Sequence, residues 1–362
     1  MALKGKSASI TEVAEKSGVS LQTVSNVLNF PERVRPATRE KVLAAIKSLD
    51  YTPNLAARRL RSARASSIAV RLDTNAVTEG EQRGLYSGFI QDEFVYQLTK
   101  AAQNRGIKVI TYTADDQNEE IEKLRFLLNS QDADGLILTS TIGNDPRFKL
   151  LNEKKVPFIT FGRPWGAANL YSTKKPWVDI DGAFGIALAT RKFWEDGYRQ
   201  IGFVGWKFKI NHDADAQSVG EDRYNGWLKA IADLDKTKKS LSGKNFSALG
   251  DESVSSGRAM AIELLKKFPK VEAVVCVSDT VALGVLLESA RLRKKPLVVS
   301  GFDNSPVSKE FEFSSLDQNL QMVAKNSIEI LMGETGNQIR HVDFATESTK
   351  AHVLLRPVLI HR

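Results

Sequence analysis

Residues 10–29 read ITEVAEKSGVSLQTVSNVLN, two short amphipathic helical patterns broken at Ser17-Gly18-Val19. Ile10, Val13 and Ala14 share one face of the first pattern. Val24, Val27 and Leu28 share one face of the second, at the i, i+3, i+4 spacing of a buried stripe. Gly18 stands where a sharp turn needs a positive φ. Ser20 is placed to cap the second helix, and Ala14 is small where two steeply crossing helices need close approach. The spacing predicts a helix-turn-helix, whose second helix enters the major groove of DNA. Leu21, Gln22, Ser25 and Asn26 face outward at its start, and several of these side chains can hydrogen-bond base edges. An ordinary helical hairpin carries the same stripes, so this window alone leaves both readings open.

Charge narrows the choice. Residues 1–66 hold 12 Lys/Arg against 5 Asp/Glu, a net of +7, out of +8 for all 362 residues. Basic charge gathered in a small patterned terminal module is the electrostatic footprint of a nucleic-acid binder. The length implies two or three units with a sizeable core. No apolar run approaches the ~20 residues of a membrane span, and the N-terminus has no secretory signal pattern. The single cysteine, Cys276 in VEAVVCV, reads as a core residue and fits a reducing cytoplasm.

Outward from the helix pair, a loop at 30–35 leads to Pro36 at a helix N1 position. A third helix is expected at 36–49, with Val42, Leu43, Ile46 and Leu49 on its core side. Pro53 stops it, Asn54 can cap a short segment LAARRL, and 61–67 reads as a linker. From residue 68 the texture changes to alternating strands and helices. Strands are expected at 68–70, 108–112, 135–139, 157–161, 201–205, 274–277 and 297–301. Helices are expected at 94–105, 118–129, 181–196, 223–233, 255–268, 279–291 and 322–332. This alternation predicts parallel sheets flanked by helices, in two α/β lobes. Ligands of such sheets bind at strand carboxyl ends.

The chain resembles the lactose-repressor (LacI/GalR) family of bacterial transcription regulators over nearly its whole length. The motifs that carry the resemblance are VAEKSGVSLQTVSNVLN, ATREKVLAAI and LDYTPNLAARRL, followed by DADGLIL, VPFITFGR, DGYRQIGFVG, EDRYNGW, VSDTVALG, GFDNSP and LDQNLQMVA. The resemblance implies a helix-turn-helix domain at 8–53, a hinge helix and linker at 54–66, and a core of periplasmic-binding-protein type at 67–362. Within the core, lobe 1 is expected at 67–163 plus 317–345 and lobe 2 at 164–316 plus 346–362.

The resemblance also implies a symmetric homodimer on a palindromic operator, acting as a repressor in the bacterial cytoplasm on nucleoid DNA. Leu21 and Gln22 then choose bases, and Asn26 stands where the family commonly has Arg, which exchanges a guanine preference for adenine. Thr23, Ser25, Asn29 and Thr38 resemble phosphate-holding positions, and Arg35 replaces a small cap residue and adds a phosphate contact. The hinge 54–60, marginal alone, would order in the minor groove with Leu60 as the wedge. There Asn54 would cap it, Ala57 would pack on the groove and Arg58 would attract phosphate. Residues 351–362 show no leucine-heptad tail of the kind that makes some relatives tetramers.

For the effector, the resemblance points to residues that follow the strands: Phe89 and Gln91, Thr141 and Asn144, Arg163, Trp206, Arg223, Asp279, Asp303 and Gln318. Phe89 and Gln91 are expected to precede the first core helix. Paired Arg and Asp groups beside an aromatic plane suit a mono- or oligosaccharide. Helix capping competes for Asp279 and Asp303, and an interlobe salt bridge competes for Arg223. Residues 73–88 either line the pocket or decorate the surface. No cofactor or metal is implied: the four His lack metal-ligand spacing, and no nucleophile elbow, P-loop or Rossmann fingerprint occurs. An enzyme is therefore not expected. A purine- or phosphocarrier-dependent regulator and a sugar receptor stay as alternatives.

Overall fold

The computed structural model describes residues 9–49, 51, 67–72, 89–141, 145–163, 165, 175–208, 218–235, 246–333, 345–348 and 351–362. They belong to two compact units divided between Arg64 and Ala65.

The first unit is helical: α1 (Ile10–Ser17), α2 (Leu21–Asn29), a 3-10 turn (Pro31–Arg33) and α3 (Pro36–Ser48). Ser9 and Glu12 form a reciprocal capping box on α1, which satisfies two N-terminal donors at once. Gly18 ends α1 at φ +66°, and the Val19 N–H reaches back to the Ala14 carbonyl at 3.1 Å. Ser20 then accepts the Thr23 N–H at 3.1 Å, so the turn and the second cap form as the sequence predicts. Val13, Ala14, Val24, Val27, Val42, Ala45 and Tyr51 make the core. Leu43, expected on the inner side of α3, is 49% exposed. The inward stripe runs through Val42, Ala45 and Ile46, and Leu43 lies one step round the helix from it.

The second unit holds two sheets. The first contains β1 (Ser67–Arg71), β2 (Lys108–Tyr112), β3 (Gly135–Leu138), β4 (Phe158–Phe161), β5 (Trp177–Ile180), β11 (Ala345–Ser348) and β12 (His352–Leu355), in the order β11-β12-β5-β4-β3-β1-β2. The second contains β6 (Ile201–Trp206), β7 (Ser247–Gly250), β8 (Ala273–Cys276), β9 (Val298–Phe302), β10 (Ser314–Asp317) and β13 (Val358–Ile360), in the order β13-β10-β9-β8-β6-β7. Among the described residues only the β11–β12 and β10–β13 pairings are antiparallel. Flanking helices are α4 (Phe89–Gln103), α5 (Gln117–Asn129), α6 (Pro146–Lys154), α7 (Gly182–Glu195), α8 (Val219–Leu234), α9 (Val254–Lys267), α10 (Asp279–Leu292), α11 (Pro306–Glu310) and α12 (Leu320–Leu331). Among the described residues no helix is long and apolar enough to cross a membrane.

The lobes divide differently from the expected cut at 163/164. Strand β5 pairs with β4 and with β12, so residues 177–180 and 352–355 belong to the first sheet. The chain crosses between sheets after Ile180, after Asp317 and after Leu355. A fully buried β5 with Trp177 and Val178 at 0% exposure needs both neighbours, and the closing strands supply one of them.

Helices α9 and α10 meet backbone to backbone. A Cβ on Gly284 would lie 2.3 Å from the Val254 carbonyl oxygen and 2.8 Å from the Gly257 Cα. Neither atom can swing aside, so the helices must separate to admit a methyl group. Gly284→Ala is expected to lower stability by about 1–3 kcal/mol, measured by urea unfolding, and an unchanged midpoint would contradict the close crossing.

Candidate functional site

On the first unit, the outer face at the start of α2 is a polar reading surface. Leu21 is 48% exposed, Gln22 is exposed, and Thr23, Ser25 and Asn26 are half-buried. Gln22 Nε2 donates to Asn26 Oδ1 at 3.2 Å, so these two amides act as a linked pair one helical turn apart. Thr23 and Ser20 hydroxyls share a hydrogen bond of 2.9 Å. Arg35, exposed, precedes Pro36 at the N-terminus of α3 and makes no side-chain capping bond. Thr38 is half-buried in the next turn. Asn29 closes α2. The expected hinge residues Asn54, Ala57, Arg58 and Leu60 lie outside the described residues, as do residues 73–88.

In the second unit the strands of both sheets end at one cavity of about 600 Å³, within the ~300–1,000 Å³ usual for ligand clefts. The residues after β3 and β4 line it from the first lobe, and those ending or following β6 to β10 line it from the second. Phe89, Gln91, Thr141, Arg163, Trp206, Arg223, Asp279, Asp303 and Gln318 all lie in its wall. Asn144 lies outside the described residues. Phe89 and Gln91 open helix α4 rather than preceding it, because the apolar stripe of that helix begins one turn earlier than the run from Phe94 suggests. Gln91 Nε2 donates to the Arg71 carbonyl at 2.8 Å. The Thr141 hydroxyl reaches the Gly162 carbonyl at 3.4 Å.

The lining residues that sequence reasoning missed include Thr139, Trp165, Asp179, Asp222 and Glu252. Glu252 follows β7, a strand whose sequence SALG carries little β signal. Its carboxylate accepts the Trp206 indole N–H at 2.5 Å and the Ser278 hydroxyl at 2.8–2.9 Å, fixing the Trp206 ring. Asp222 was visible as the neighbour of Arg223. It links the lobes: Arg163 Nε pairs with Asp179 at 2.6 Å, and Arg163 Nη2 approaches Asp222 at 3.4 Å. Asp222 also accepts the Ala183 N–H at 2.9 Å. Arg163 and Asp179 belong to the first lobe and Asp222 to the second, so the interlobe salt bridge weighed for Arg223 is made by Arg163 instead.

Asp279 and Asp303 play different parts. Ser278 caps α10, so Asp279 does not. Its carboxylate instead accepts from the Ser305 N–H and hydroxyl at 2.7 and 2.6 Å and from the Ser315 hydroxyl at 2.5 Å, fastening the loop after β9 and strand β10. Asp303, at φ +148°, accepts from Gln318 Nε2 at 2.8 Å. Arg223 donates from Nη1 to the Val277 carbonyl at 2.5 Å and lies 3.7 Å from the Phe302 ring centroid and 5.3 Å from that of Trp206.

Burial sets the electrostatics. It pushes the Asp303 carboxyl well above the usual carboxylate range, and the nearby Asp279 adds to this. Burial likewise raises Glu252, Asp279 and Asp222 and lowers Arg223. For Arg163 burial opposes the charge, yet Asp179 and Asp222 together outweigh it and its pKa rises. Three buried polar atoms in the cavity wall have no hydrogen-bond partner among the described residues: Arg223 Nε, Trp165 Nε1 and Thr139 Oγ1. Leaving such a group unpaired costs about 1–3 kcal/mol, and all three point to a ligand with hydroxyl or carbonyl oxygens.

Beneath the first-lobe wall is a second charged cluster. Glu120, 1% exposed, receives Arg71 Nη1 at 2.5 Å, Arg147 Nη1 at 2.9 Å and the Tyr112 hydroxyl at 3.2 Å. Arg147 also clasps Asp145 through Nε at 2.9 Å and Nη2 at 2.6 Å, and donates to the Thr139 carbonyl at 3.1 Å.

Comparison with known proteins places both units. Residues 9–54 match the model of bacterial regulatory proteins of the lacI family, and residues 87–337 match that of periplasmic binding proteins and sugar binding domain of LacI family. The HTH-type transcriptional regulator CelR of Thermobifida fusca is 32% identical over 343 residues, covering 91% of this chain and 94% of that protein. A solved CelR–cellobiose complex matches with a TM-score of 0.64 at 26% identity, over 98% of this chain and 99% of the other. The lac repressor dimer bound to operator and an anti-inducer matches with a TM-score of 0.68 over 99% and 98% of the two chains. At 21% identity, that likeness bears on the fold alone.

Proposed function

Because the chain belongs to the lacI family of bacterial regulatory proteins, a family of transcription regulators and not of enzymes, we propose that it is a sugar-controlled repressor. It would bind a palindromic operator as a homodimer in the bacterial cytoplasm. Leu21, Gln22 and Asn26 would meet bases, Thr23, Ser25, Asn29, Arg35 and Thr38 would meet phosphates, and residues 54–60 would form the hinge.

The observation that carries the effector half is the cavity itself. It joins aromatic faces at Phe89, Phe161, Trp165 and Trp206 to unpaired donors at Arg223 and Trp165. Sugars need that combination, an apolar plane for the ring face and fixed polar groups for its hydroxyls. The cellobiose held by the solved CelR relative favours the same ligand class here. Since Arg163 and Asp222 join the lobes across the cleft, a ligand between them can favour one lobe arrangement. Control follows only if its affinity differs between the DNA-competent and incompetent states.

The test is a gel-shift titration of the full chain on promoter fragments near its own gene, with and without cellobiose, maltose and glucose. One sugar should release, or tighten, the sequence-specific complex by about tenfold or more, the usual scale of allosteric coupling. DNA binding that no sugar alters would remove the sugar from the proposal. Absence of any sequence-specific shift would remove the repressor.

A further inference from the structure

The charges facing the cleft carry the sugar reading one step further. Arg163 is already matched by Asp179 and Asp222. The only other guanidinium in the described wall, Arg223, stands among Glu252, Asp279 and Asp303. Two cations thus face five carboxyls. Lys207 also reaches the wall, but it is exposed at the rim and pairs with Asp251 at 3.4 Å.

From this arrangement we propose that the cleft selects neutral sugars and rejects their phosphorylated or uronic-acid counterparts, with Glu252 the principal residue that enforces the choice. The proposal rests on the sugar reading above. A phosphate entering the cleft would lose its hydration and find no surplus cation to replace it. Arg223 does offer a free Nε–H, but its charge is balanced by the carboxyls around it. That N–H is therefore a donor for a hydroxyl oxygen, not an anchor for an anion. Burial is the main cause that raises Asp303, and the carboxyls of Asp279 and Glu252 add to it.

Glu252 is singled out because it stands at the aromatic plane of the second lobe, while the other carboxyls fasten the fold or neutralise Arg163. Asp279 spends its oxygens on Ser305 and Ser315, and Asp179 and Asp222 neutralise Arg163. Asp303 is held by Gln318 and is pushed toward its neutral form by burial and by Asp279. Glu252 lies beside Trp206, the aromatic plane of the second lobe, and among the described residues bonds only to neutral donors, the Trp206 indole and the hydroxyls of Ser278 and Thr280.

The experiment measures binding of the full chain by calorimetry to cellobiose, maltose and glucose, each beside its 6-phosphate. The wild type should favour the neutral form of its sugar by at least about a hundredfold. Glu252→Gln, which keeps an acceptor for the indole but removes the charge, should shrink that ratio by about tenfold, the effect of one charge about 12 Å away at an effective dielectric near 20. Glu252→Asp, which keeps the charge, should retain the ratio even if both affinities fall. Equal or tighter binding of a phosphorylated sugar by the wild type overturns the inference and leaves the sugar reading standing. An unchanged ratio in Glu252→Gln overturns the role of Glu252 and assigns selection to shape. Failure of every sugar to bind in either form sinks the sugar reading, and the inference with it.

Discussion

Glu120→Ala is expected to destabilise the core unit by about 3–5 kcal/mol, a large share of the roughly 5–15 kcal/mol that keeps a domain folded. Glu120 is the common acceptor for Arg71, Arg147 and Tyr112. Removing it leaves two guanidiniums facing one another in a wall where water enters poorly. Asp145 can balance only one of them, and it is already clasped by Arg147. The contrast with the preceding residue isolates the cause. Glu119 pairs with Lys123 at the same 2.5 Å that separates Glu120 from Arg71, but in solvent, where such pairs contribute little. Urea unfolding of Glu119→Ala should therefore match the wild type while Glu120→Ala shifts far to lower denaturant. Equal midpoints would mean that the cluster is hydrated and that its distances carry no weight.

Asn26→Arg is expected to redirect operator choice. In the proposed reading Asn26 presents an amide to adenine, while arginine at the same position pairs bidentately with guanine, a preference of about 1–3 kcal/mol for each good pair. In a dimer the change acts on both half-sites. The bond between Gln22 and Asn26 adds a second consequence, since arginine cannot accept the Gln22 amide proton. Gln22 should therefore change its own preference with its neighbour, and a cycle of Gln22→Ala and Asn26→Ala should be non-additive. Selection from random DNA tests both points. If the wild type and Asn26→Arg recover the same site, Asn26 does not read bases.

The first unit was legible almost residue by residue, because its determinants are local. A glycine in the left-handed turn, a serine cap and two stripes specify it, and among its described core residues only Leu43 was misplaced. The core was legible as a class but not as a boundary. The strands read correctly are apolar runs such as AVVC and IGFV. Those missed, WVDI, SALG, SSLD, ATES, HVLL and VLI, are only three or four residues long, and become strands through the neighbours that flank them. The cleft divided along the same line. Residues on recognisable strand ends were placed in its wall. Glu252 and Trp165 were missed because they sit behind an unread strand and in a long connection, and Asp279 was placed there without the serines that occupy its carboxylate.

The three crossings between sheets bear on how the chain is made. Residues 352–355 complete the first sheet and 358–360 the second, so each lobe needs a strand made after all of its other described strands. The helical unit needs nothing beyond its own first fifty or so residues. Chains fold from the N-terminus as they emerge, and long-range pairings are slow to close. On the ribosome the reading head is thus ready well before the sensor, and the two lobes, though separate in space, mature together as one folding event.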